Sequence, residues 1–205
     1  MRSIAGPTAR SKRDRVDDPH VALLNALARR WRTDGRFVPW FDPDGVGARA
    51  EVLLVVETPG PTTVAAGDRG VSSEDNPDPT ARALRAARAD SGLRADQCLR
   101  WNVIPWALHD EAGRWRAPRA GDVRAAGPAL AELVTALPDL RVVVAFGAAA
   151  SSGWARQLTL DEHPRPVLTL AVPHPSQRNT HARQEAGTRL RNALRTAARW
   201  CADPR

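Results

Sequence analysis

The chain of 205 residues is 42% apolar and carries seven tryptophans, which suits one domain with a real core and argues against a disordered polymer. Its formal net charge of +7 and isoelectric point near 11.1 favour polyanionic partners such as nucleic acid. Of the 30 basic residues only Lys12 is a lysine, and so strong an arginine bias also follows from GC-rich coding. The absence of any run of about 18 apolar residues excludes a membrane-spanning helix. The charged start "MRSIAGPTARSKRDRVDD" has no apolar signal region, so a cytosolic location is expected. Two cysteines, Cys98 and Cys201, cannot ligate a four-cysteine cluster, and neither CxxC, zinc spacing nor HExxH occurs. No metal or other cofactor is expected.

Residues 1–18 read as a basic, flexible arm, and 19–205 as the folded domain. "HVALLNALARRW" (20–31) sets Val21, Leu24, Leu27, Ala28 and Trp31 on one face at helical spacing. "RFVPWFDPDGVG" (36–47) is punctuated by proline and glycine as a loop is. "AEVLLVVE" (50–57) is a continuous apolar run, the pattern of a strand covered on both faces. In "DPTARALRAARADSG", Asp78 is the expected N-cap, Pro79 the first helical residue and Gly92 the stop.

"CLRWNVIPW" (98–106) reads as a strand running into a loop, and 121–137 as a helix interrupted near Pro128. "LRVVVAFG" (140–147) and "VLTLAV" (167–172) are two more continuous apolar strands. A last helix is expected over 181–200, with Leu190, Leu194 and Ala197 inward. Strands alternating with helices argue for an α/β domain with a mainly parallel sheet. The expected architecture is a single-domain three-layer αβα sandwich around four strands. Ligands of such sheets bind beyond the carboxyl ends of the strands. The polar corners "ETPGP", "NVIPW" and "PHPSQRN" all fall there, far apart in sequence and on one expected face.

These corners, in this order, resemble the uracil-DNA glycosylase superfamily over about residues 37–183. "ETPGP" looks like its first motif, "WNVIPWAL" like its asparagine-bearing strand. "PHPSQRN" is similar to the His-Pro-Ser-x-Arg-Asn loop of the single-strand-selective monofunctional type. The resemblance implies hydrolysis of the N-glycosidic bond of uracil in DNA, with the nucleotide flipped out of the stack. It implies DNA as partner, and a monomer is expected.

By resemblance, His174 hydrogen-bonds the base carbonyl where negative charge develops, a donor commonly worth ~10²–10³ in rate. The plainer alternative is a loop histidine that caps backbone groups. Asn102 offers a donor and an acceptor to the uracil edge, unless it caps the turn before Pro105. Thr58 occupies the water-positioning place, where a hydroxyl can orient water but is no strong base. Glu57 resembles the glutamate of the iron–sulfur branch. It stabilises the cationic sugar or activates the water, or else it is a structural carboxylate that satisfies loop N–H groups. Gly60 admits close approach between the stiff Pro59 and Pro61.

The relatives stack an aromatic side chain on uracil at the position of Val71. Either Phe41 or Trp40 supplies that surface here, or the pocket is wider and takes a larger or modified pyrimidine. Asn76 is a candidate contact to the sugar or the water, Asp75 and Asp78 lie near the mouth, and Trp106 is a candidate for the pocket lining. Ser176, Gln177, Arg178 and Asn179 form the expected minor-groove loop. Arg183, Arg189 and the Lys12–Arg15 stretch are candidate phosphate contacts.

Overall fold

The structure, a computed structural model, describes residues 10–33, 35–162, 164–175 and 183–203. The first helix, α1 (Pro19–Trp31), begins at a proline and buries the face that the periodicity predicts, together with Asn25. Asn25 donates to Val16 O at 2.9 Å and accepts from Phe41 N at 2.8 Å, which ties α1 to the short strand β1 (Trp40–Phe41). Strand β2 (Val52–Val56) is buried throughout. After it come a short helix, α2 (Pro61–Ala65), and strand β3 (Val71–Ser72), which pairs parallel with β1 in a separate two-stranded ladder.

Helix α3 (Pro79–Ser91) begins as expected, with the Asp78 side chain accepting from Ala81 N at 2.8 Å. Strand β4 (Cys98–Asn102), helix α4 (Ala120–Thr135), strand β5 (Val142–Phe146), helix α5 (Ala148–Leu160), strand β6 (Leu168–Val172) and helix α6 (Arg183–Ala202) complete the order. The main sheet runs β4-β2-β5-β6, and every neighbouring pair is parallel.

Alternation along the strands divides the core in two. Leu53, Val55, Val143 and Ala145 face α1, α4 and α5, packing with Leu24, Leu130, Leu133 and Trp154. Leu54, Val56, Val144 and Phe146 face α3 and α6, packing with Leu84, Leu190 and Leu194. The result is the three-layer α/β sandwich that the alternating pattern predicts. Both cysteines are free and buried. Among the described residues no helix is long and apolar enough to cross a membrane.

Three sequence expectations change. Helix α4 is not interrupted at Pro128 but runs through it. Pro128 and Arg124 are both exposed, so the bond that the proline cannot donate falls on the solvent side. Strand β6 is not covered on both faces. It is one of the two edges of the sheet, where Thr169 and Ala171 are exposed and only Val172 is buried.

The described part of the basic arm is folded onto the domain. Lys12–Arg15 form a 3₁₀ turn capped by Ser11. Lys12 Nζ lies 2.8 Å from Asp42, 3.2 Å from Asp44 and 3.0 Å from Asp75, and it also donates to Ser73 Oγ. Arg13 pairs with Asp68, and Arg15 with Asp18 and Asp44. These cations already face carboxylates, which removes them as ready phosphate contacts.

Replacing Asn25 with alanine leaves Phe41 N–H without its buried partner. The expected cost is about 1–3 kcal/mol, read as a lower denaturant midpoint at constant m-value. An unchanged midpoint would show that Asn25 is not what joins α1 to β1.

Candidate active site

Backbone bonding continues one step beyond the strands. Val103 N donates to Val56 O at 2.8 Å, Ile104 N to Glu57 O at 3.0 Å and Gly147 N to Val172 O at 2.9 Å. The exits of β4, β2, β5 and β6 are therefore level, and their polar corners meet at one sheet edge. There a cleft of about 600 Å³ is lined by Glu57, Thr58, Gly60, Arg100 and His174, with Asp78 and Thr80 from the start of α3.

Glu57 is fixed by the opposite strand exit. Its Oε1 accepts from Ala149 N at 3.3 Å, in the first turn of α5, where the helix dipole favours a negative charge. This contact needs Gly147, whose φ is 92°. A Cβ on Gly147 would sit 2.6 Å from Glu57 Oε1 and 3.3 Å from His174 Cβ. Glu57, Gly147 and His174 are thus one packed group, although they come from three different exits. The Glu57 carboxylate satisfies a backbone N–H and also borders the cleft, so both readings of it have a geometric basis. Thr58 is half-buried, and its hydroxyl is bonded to no described group. Pro59 is buried beneath the turn, and Pro61 opens α2. A Cβ at Gly60 would meet nothing within 4 Å, so the protein's own packing does not require glycine there.

Asn102 ends β4 in register with Val56 and is only 3% exposed. Its carboxamide has no hydrogen-bond partner among the described residues. Asn102 does not itself border the cleft, whereas Arg100, two residues before it on the same strand face, does. Asn76 is different, because its Nδ2 donates to Thr63 Oγ1 and Val71 O and holds its own loop together. Asp75 pairs with Lys12 and Arg85, away from the cleft lining.

The aromatic candidates lie in the core. Val71 is paired with Trp40 and buried, so its small side chain does not widen the cleft. Phe41 is fully buried and stacked on Trp101, with ring centroids 3.5 Å apart. Trp40 donates to Asp68 O and is covered by the Arg32 guanidinium at 3.6 Å. Trp106 is half-buried against the core beneath Arg36 and is not part of the lining. Ser176, Gln177, Arg178 and Asn179 lie outside the described residues, as does the side chain of Arg183. Arg189 bonds Ala171 O at 3.3 Å and lies 3.7 Å from Glu185.

Two site residues escape a reading by motif, Gly147 and Arg100. Arg100 had a signal. It is the one charge within "CLRWN", two residues before Asn102 and so on the same face of the strand. Its Nη1 donates to Ser73 O, and its Nε is out of solvent without a partner. Burial lowers its pKa from the usual arginine value, against the opposing pull of Asp78 and Glu74. No cluster of three or more metal-ligating side chains exists among the described residues.

No curated protein matches the chain. The family model of the uracil DNA glycosylase superfamily matches residues 43–198, a span holding all four strands of the main sheet, Glu57, Asn102, Gly147 and His174. On the strength of that match, the chain belongs to the uracil DNA glycosylase superfamily, a glycosylase-type hydrolase family that acts on DNA.

Proposed function

We propose that the protein is a monofunctional glycosylase that releases uracil from DNA by hydrolysis and leaves an abasic site. The observation that carries this reading is the packed group of Glu57, Gly147 and His174 beside the cleft, level with the strand end that carries the Asn102 carboxamide. An amide there pairs with the N3–H and O4 edge of uracil. The amino group of cytosine presents the opposite polarity and leaves buried groups unpaired.

In this mechanism the target nucleotide leaves the stack and its base enters the cleft. The bond to the base breaks as the sugar gains oxocarbenium character, and negative charge moves onto the base. His174 donates to the base oxygen that receives it. Pro173 and Pro175 limit the backbone freedom of that histidine. The carboxylate of Glu57, held by Ala149 N–H, faces the positive sugar, and Thr58 orients the attacking water. Gly60 leaves room for the nucleotide. The monofunctional assignment rests on lysine, because Lys12 is the chain's one lysine and its amine is held by three aspartates.

A second reading, release of a larger or modified pyrimidine, is favoured by the lining itself. Among the described residues that border the cleft, no ring besides the His174 imidazole and two prolines is present to stack on a base.

Enzyme in excess over a uracil-containing oligonucleotide is expected to yield strand breaks after alkali, and intact strands would overturn the uracil assignment. His174→Ala should slow single-turnover release by ~10²–10³-fold. Glu57→Gln keeps an acceptor for Ala149 N–H and removes the charge. It should leave the melting temperature unchanged while slowing release by ~10²-fold, and equal rates would reduce Glu57 to a structural role. Gly60→Ala should change stability by no more than about 0.5 kcal/mol yet impair release, and full activity would take Gly60 out of the substrate path.

A further inference from the structure

Five of the seven tryptophans are buried or half-buried, and only Trp115 and Trp200 are exposed, at 39% and 50%. Trp200 lies at the strand-entry end of the sheet, where Arg141, just before β5, donates to its carbonyl at 2.8 Å. Trp115 belongs to the other end, where the cleft opens. Its segment leaves β4 beside the Glu57 corner, with Ile104 N bonded to Glu57 O, and folds into a hairpin through the bridge between His109 and Trp115. The five residues from Ile104 to His109 span at most about 18 Å. That is roughly five steps of a B-form strand.

The hairpin fixes the ring in place. Asp110 Oδ1 accepts from Ala112 N at 3.0 Å and Arg114 N at 2.9 Å, and Asp110 N donates to Arg114 O at 2.8 Å. Gly113, with φ 74°, makes the turn. Leu108 is buried at the base, and Arg116 fastens the hairpin to Asp122 in the first turn of α4 at 2.6 and 2.7 Å. The His109 ring supports the indole, with centroids 4.9 Å apart. A ring held this way loses little further freedom when something stacks on it.

A single exposed apolar side chain is ordinary on a protein surface, so the surroundings decide what Trp115 is for. It is flanked in sequence by Arg114 and Arg116 and offers a lone stacking face, not a groove for a peptide. Asp110 and Asp122 are paired with those two arginines, which leaves Glu111 as the free acid of the stretch. Two exposed arginines of the same region are in no ion pair among the described residues. Arg119 follows the hairpin, and Arg36 lies over the Trp106 ring at 4.9 Å, where Ala107 N bonds Phe37 O. Aromatic faces accompanied by free cations suit an unpaired nucleic-acid strand, whose bases stack while its backbone is neutralised.

We propose that Trp115 is a stacking platform for an unpaired base of the DNA strand, within about five nucleotides of the one in the cleft, with Arg36 and Arg119 as backbone contacts. The inference goes beyond uracil release and requires only that the protein acts on DNA.

Fluorescence anisotropy of the full chain with two labelled single strands tests it, each about 15 nucleotides long, the upper range of a single-strand site. One is oligothymidylate and the other is the same backbone without bases. Trp115→Ala should weaken oligothymidylate binding about tenfold, the scale of one stacked base, and leave the base-free strand unaffected. Trp115→Phe should keep most of the affinity. Trp115→Leu keeps an apolar side chain against His109 without a ring, so it serves if the alanine variant is unstable, and it should match the alanine loss. Unchanged oligothymidylate binding in the variants overturns the proposal. So does an equal loss on both strands, which is what damage to the hairpin would produce. Uracil release without Trp115-dependent binding sinks the platform alone. Trp115-dependent binding with no base release from DNA sinks the glycosylase reading alone.

Discussion

The contact between Glu57 and the backbone at Gly147 sets the geometry of the cleft. A carboxylate leaving one strand reaches the first turn of a helix that follows the neighbouring strand, and it can do so only because no Cβ intervenes. His174 packs against the same glycine from a third exit. Three chain segments separated by many residues thus share one small volume, and displacing any of them disturbs the others. The continued backbone bonds at Ile104 and Gly147 keep these exits level, so the polar corners have little freedom to drift apart.

Charge is distributed unevenly over this frame. The net excess of +7 suggests a broadly basic surface. Yet the described cations of the N-terminal stretch are committed to Asp18, Asp42, Asp44, Asp68 and Asp75 and act as stitching. The arginines of the last helix are different. Arg191, Arg195 and Arg199 are exposed and in no ion pair among the described residues. Arg100 belongs to neither group, being half-buried in the cleft wall.

Much of the fold was legible because its signals are local. Continuous apolar runs announced the buried strands, Asp78 and Pro79 marked a helix start, and the spacing from Val21 to Trp31 gave the inner face of α1. The arrangement of the corners followed from parallel topology, which places every exit on the same edge. What local pattern could not show depended on partners distant in sequence. The strands at Trp40 and Val71 are two residues long and exist only through each other. Pro128 reads as a break until its carbonyl partner is seen to face solvent. Val71 reads as a pocket position until its pairing with Trp40 turns it into the core. Gly147 carries no chemistry of its own, so nothing in its sequence context distinguishes it from an ordinary turn.

The prolines around β6 have an effect beyond stiffening His174. This strand is one edge of the sheet, five residues long, and the residues flanking it include Pro164 and Pro166 on one side and Pro173 and Pro175 on the other. A proline has no N–H to offer an incoming strand, so any ladder with a second copy stops where β6 stops. The segment that holds the catalytic candidate in place also limits how far such an edge could extend a ladder with another copy.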